Sequence, residues 1–67
     1  MSAVKWEVRG RFGSETFDNR EDAVMQFQLE EEEVEECKCS EVSILTITDG
    51  KVTSHVRSTR NGRERVI

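Results

Sequence analysis

Two turn dipeptides twelve residues apart, Asp49-Gly50 and Asn61-Gly62, divide the C-terminal part of the chain into three stretches. Asp-Gly and Asn-Gly suit two-residue β-hairpin loops, because both loop positions need positive φ. The run before the first turn, with Val42, Ile44, Leu45 and Ile47, is rich in strand-forming residues. With Asp49-Gly50 as the loop, Ile47 faces Val52, Leu45 faces Ser54 and Ser43 faces Val56. The opposite face then pairs Thr48 with Lys51, Thr46 with Thr53, Ile44 with His55 and Val42 with Arg57. One face is mainly apolar and the other mainly polar, as a half-buried sheet requires. Asn61-Gly62 predicts a third strand pairing Arg60 with Arg63, Thr59 with Glu64, Ser58 with Arg65, Arg57 with Val66 and Val56 with Ile67.

The N-terminal stretch alternates with a period of two. Val4, Trp6, Val8, Gly10 and Phe12 point one way, and Lys5, Glu7, Arg9 and Arg11 the other, which predicts a strand with one buried face. Gly13-Ser14 breaks it, and Glu15-Thr16-Phe17 is long enough only for a short return strand. Asp18 followed by Glu21 has the spacing of a helix N-cap and its partner, predicting a helix from about Asn19 to Glu36. At 100° per residue Ala23, Phe27, Val34 and Cys37 form one stripe with Val24 at its margin. Glu30 falls inside that stripe, so the helix bends there, or the carboxylate reaches past the core, or a cation pairs with it. Trp6, Phe12, Phe17 and Phe27 all read as core.

The expected fold is a single α+β domain spanning residues 1–67. It is a strand, a helix and a three-strand antiparallel meander (β-α-β-β-β), with the helix on one face of the sheet. The place of the first strand relative to the meander is open, a right-handed crossover being only the default.

At 67 residues the chain buries about 60% of its unfolded surface, which leaves little stability for a strained catalytic cleft. No apolar run approaches the roughly 18 residues of a membrane span, and Met1 to Phe12 lacks the continuous apolar core of a signal peptide. Cys37 and Cys39 lie one residue apart, so a disulfide between them would be strained. The expected setting is cytoplasmic and reducing, with no membrane partner. Cys37, Cys39 and His55 make a poor zinc set, since structural zinc sites want four ligands and commonly a longer cysteine spacing. Neither a metal nor any other cofactor is expected. The chain offers His55 no evident converging nucleophile or acid, so catalysis is not expected either.

Charge is the most informative feature. Residues 15–41 carry eleven acidic and two basic side chains, while the segments on either side are net basic. The helix is thus an acidic ridge on which Met25 and Leu29, at i,i+4, form a small apolar spot among glutamates. Three functions from different classes follow. In the favoured one, a non-catalytic protein-interaction domain uses Met25, Leu29, Glu32, Glu33 and Glu36 to dock a basic partner surface. Compact acidic domains of this kind suit regulators or inhibitors that occupy another protein's groove, in the manner of small phage or plasmid proteins. In the second, Arg57, Arg60, Arg63 and Arg65 of the last hairpin hold nucleic-acid phosphates. Against that reading stand the lack of free stacking aromatics and the net charge of −4, and those arginines equally suit pairing with the acidic helix. In the third, the chain is the subunit of a structural homo-oligomer with no separate ligand, with Met25 and Leu29 as the contact of a homodimer. Otherwise that spot is covered by the segment from Gly13 to Phe17.

Overall fold

Asp49 and Gly50 both have positive φ, at 51° and 81°, so the first hairpin closes on the expected loop. In the computed structural model, which describes residues 3–10, 13–36 and 41–67, this loop joins β3 (Val42–Thr48) to β4 (Lys51–Thr59). The first two pairs, Thr48–Lys51 and Ile47–Val52, are those expected. A β-bulge then intervenes between Thr46 and Ile47, and Thr53 becomes the unpaired extra residue on β4. The Thr53 hydroxyl contacts the Thr48 hydroxyl at 3.1 Å and donates to the Thr46 carbonyl at 3.3 Å. Beyond the bulge every pair differs from the regular register: Thr46 meets Ser54, Leu45 meets His55, Ile44 meets Val56, Ser43 meets Arg57 and Val42 meets Ser58. The apolar residues of this hairpin are therefore shared between both faces of the sheet.

The second turn also sits one residue earlier than expected. Arg60 and Asn61 form it, and Thr59–Gly62 is the closing pair of β4 with β5 (Gly62–Arg65). The Asn61 N–H donates to the Thr59 hydroxyl at 3.2 Å, and Gly62 takes φ +108°, the conformation that follows such a turn in a three-residue hairpin loop. Arg63 consequently pairs with Ser58, Glu64 with Arg57, and Arg65 with Val56.

The N-terminal alternation forms β1 (Val4–Gly10), and the short return forms β2 (Gly13–Phe17), paired antiparallel to it. The sheet order is β2-β1-β3-β4-β5, with all neighbours antiparallel. The first strand is thus an interior strand, antiparallel to β3 and not joined to it by a parallel crossover. Its end is fastened to the first turn: Ala3 donates to the Asp49 carboxylate at 3.0 Å, and the Asp49 N–H donates to the Ala3 carbonyl at 2.9 Å.

Helix α1 (Arg20–Glu36) leads from edge strand β2 back to β3 across one face of the sheet. Its cap is Asn19, not Asp18. The Asn19 side chain accepts from the Glu21 N–H at 2.8 Å and its carbonyl accepts from the Ala23 N–H at 3.2 Å, the two bonds of an N-cap. Ala23, Phe27 and Val34 are buried against Val8 and Val42, and Trp6, Phe17, Ile44 and Val56 pack partly buried around them. Burying a side chain such as Phe27 or Val34 contributes about 1.5–3 kcal/mol. Leu45, only 3% exposed, is buried on the face away from α1, where its cross-strand neighbours are Glu7 and His55. Phe12 and Cys37, expected in the core, fall outside the described residues.

Candidate functional site

The helix stripe that packs on the sheet fixes the direction of every other helix residue. Met25, Leu29, Glu32 and Glu36 lie close to 180° from Ala23, Phe27 and Val34 at 100° per residue. Met25 is 60% and Leu29 55% exposed, so the segment from Gly13 to Phe17 does not cover them. Glu21, Asp22, Glu32, Glu33 and Glu36 are exposed around the pair. The five residues singled out from the sequence, Met25, Leu29, Glu32, Glu33 and Glu36, therefore share one free face. The last turn of α1 carries no basic residue, although the helix dipole favours cations there.

The two glutamates flanking this face have opposite environments. Glu31 receives a two-pronged contact from Arg63, with Nε to Oε2 at 2.8 Å and Nη2 to Oε1 at 2.6 Å. These bonds hold the Glu31 carboxyl below the usual glutamate range, helped by a bond to Ser58. Arg63 also lies over the Phe27 ring, its guanidinium carbon 5.3 Å from the ring centre, and covers the core from the side. Glu30 points to the β1–β2 side. Burial raises its carboxyl above the usual range and the neighbouring Glu33 and Glu15 add to the rise, while a bond from Gln26 opposes it. Of the three readings of Glu30, the carboxylate reaching past the core fits this position.

The four arginines of the last hairpin are not one cluster. Ser58–Arg63 and Val56–Arg65 share the helix side of the sheet, while Arg57–Glu64 shares the other. Arg57 contacts Glu64 at 2.5 Å, Arg63 is bound to Glu31, and Arg65 donates to the Ile67 carbonyl at 3.1 Å. Arg60 is exposed at the turn. A phosphate at Arg57 or Arg63 would compete with carboxylates already in place.

Two of the open depressions along α1 reach the last hairpin. One, of about 460 Å³, lies between its C-terminal half and the last hairpin, lined by polar residues including Gln28, Glu32, Thr59 and Arg60, with the Glu31–Arg63 pair. The other, of about 220 Å³, lies beside its N-terminal half over Trp6, Val24, Phe27, Ile44 and Val56. The sequence alone did not indicate this second groove. The signal was present only in part: one helix is narrower than a sheet of so many strands, but β2 was uncertain and the face of Val56 depended on the bulge.

His55 is half-buried on the face away from α1, with its Nε2 enclosed and without a hydrogen-bond partner among the described residues. Cys37 and Cys39 lie outside the described residues, and among the described residues no three His, Asp or Glu side chains converge as metal ligands. No helix among them is long and apolar enough to cross a membrane. Comparison with known protein families, with characterised proteins and with solved structures finds no match for this chain.

Proposed function

We propose that the chain is a non-catalytic protein-interaction domain that docks a basic partner surface on the exposed face of α1. The observation that carries this reading is the pair Met25 and Leu29, each more than half exposed at the centre of a face whose charged residues are all acidic. Two adjacent apolar side chains on such a helix lose water contact usefully only against another surface. The carboxylates around them select partners that bring Lys or Arg to the rim. The contrast with the last hairpin supports the same choice, because Arg57 and Arg63 are engaged within the chain whereas Glu32, Glu33 and Glu36 have no ion pair among the described residues.

The test is capture of partners from the cells that produce the protein, comparing wild type with surface variants. Leu29→Lys and the pair Glu32→Lys/Glu36→Lys are expected to release a captured partner, and Arg60→Glu to retain it. Retention by both helix variants, or loss on Arg60→Glu alone, would overturn the reading.

A further inference from the structure

The helix side of the sheet is wider than its cover. An α-helix with its side chains is about 10–12 Å across, whereas five strands about 4.8 Å apart span roughly 19 Å. The uncovered strip is the groove beside α1. Its floor is mainly apolar, made by Trp6, Ile44 and Val56, all only partly buried, with Thr46 and Ser54 beside them and Val24 and Phe27 forming the wall. Its rim is basic. Arg20 lines it directly, Arg63 lines it while bound to Glu31, and Arg65 stands on the same side of the sheet as the cross-strand partner of Val56.

This groove is the counterpart of the exposed helix face in both polarity and charge. One surface is an apolar spot ringed by carboxylates, the other a mainly apolar floor edged by arginines. Resting on the docking reading above, we propose that the occupant of the groove is a second copy of this chain. The Met25–Leu29 face of each α1 sits on the Trp6–Ile44–Val56 strip of the other copy. Each copy then gives one helix and receives one, so a two-fold axis satisfies both contacts and the assembly closes as a dimer. The two helices lie side by side between two sheets. Trp6, a large aromatic at the β1 end of the receiving strip, is of a residue type that often anchors such contacts. The net charge of −4 on each copy does not oppose this, since beyond about 8 Å salt screens charge and at contact range the carboxylates meet Arg20 and Arg65.

Trp6 is the one tryptophan of the chain and reports directly on the groove. Sedimentation up to millimolar protein is expected to give twice the 7.7 kDa chain mass, with Trp6 emission shifting to the blue as concentration rises. Leu29→Lys, at a site open enough to leave the fold intact, is expected to raise the dimer dissociation constant at least about tenfold. Unchanged far-ultraviolet circular dichroism checks that the variant still folds. Glu32→Arg and Arg65→Glu are each expected to weaken the dimer, and their combination to restore it in part. A chain that stays monomeric to millimolar concentration with unmoved Trp6 emission overturns the proposal, as does a dimer indifferent to Leu29→Lys. If the monomeric chain still captures a basic partner through Leu29, the second copy is wrong and the docking reading stands. If neither occurs, both fall.

Discussion

The Glu30 carboxylate occupies the space over Gly10 that a β-carbon would fill. Gly10 sits at the end of β1 with a φ that other residues adopt, so its lack of a side chain serves this close approach and not backbone conformation. Gly10→Ala must push Glu30 aside. Because the obstructing atoms end a flexible side chain, the expected loss is about 0.5–1 kcal/mol, the low end for contacting residues. Gly10→Ala combined with Glu30→Ala is expected to recover most of that loss. Urea denaturation of the four proteins in this cycle measures it, and strictly additive effects would show that the two residues do not interfere.

Glu30 and Glu31, adjacent in sequence, are expected to bend the pH profile of stability in opposite directions. Burial raises the folded-state pKa of Glu30. Its stabilising contribution is therefore complete below the unfolded value of about 4.3 and is lost as pH rises through the folded value. Arg63 lowers that of Glu31. The Glu31 contribution is present above about 4.3 and is lost as pH falls through the folded value. At pH 7 Glu30→Gln should be more stable than wild type, and near pH 3 the two should converge. Glu31→Gln should be less stable at pH 7 by about 1 kcal/mol, as befits a partly exposed pair, with the gap closing in acid. Denaturation midpoints across pH 3–7 distinguish the two patterns.

At the helix start, Asp18 and Asn19 are both favoured caps, and composition does not choose between them. The backbone does, by letting Asn19 accept from the Glu21 N–H. Asn19→Ala is expected to cost about 1 kcal/mol of stability and Asp18→Ala much less, as read by thermal melting. The reverse order would restore the spacing argument for Asp18.

Thr53 is the extra residue that sets which side chains of β4 face α1. Removing it leaves every pair beyond the bulge intact, because Ser54 then follows Val52 in a regular ladder. A Thr53 deletion is therefore expected to fold, with nuclear Overhauser contacts between the Ile44 and Val56 methyl groups preserved. Their replacement by contacts between Ile44 and His55 would mean that the strands have slipped by one residue and that the bulge does not set the register.

These cases show where the sequence was readable. Alternation in Val4–Gly10 and positive φ at Asp49-Gly50 depend on neighbouring residues, and both are plain in the letters. The acidic face was likewise legible, because helical spacing alone sets Met25, Leu29, Glu32 and Glu36 opposite Phe27 and Val34. The bulge was not, since Thr46 and Thr53 suit a regular pair as well as a bulged one. The second turn shifted because Arg60-Asn61 and Asn61-Gly62 both satisfy turn chemistry, and a single bond from Asn61 to Thr59 favours the former. The groove over Trp6 arises only when strand order and helix placement are both known.

The end of α1 carries a cost that bears on function. Glu33 and Glu36 are exposed near the negative end of the helix dipole, where cations are favoured, and the last turn has none. Glu36→Lys is therefore expected to stabilise the isolated chain by about 0.3–1 kcal/mol at low salt. On the docking reading the same change weakens partner capture, since it removes a carboxylate from the rim that meets the partner's bases. Improved stability with reduced binding is the pattern expected where a surface is shaped by its partner and not by the fold. Melting temperature and capture measured on the same variant decide the matter. If Glu36→Lys raises stability and leaves capture unchanged, this end of the helix lies outside the contact and the docking surface shrinks to Met25, Leu29 and Glu32.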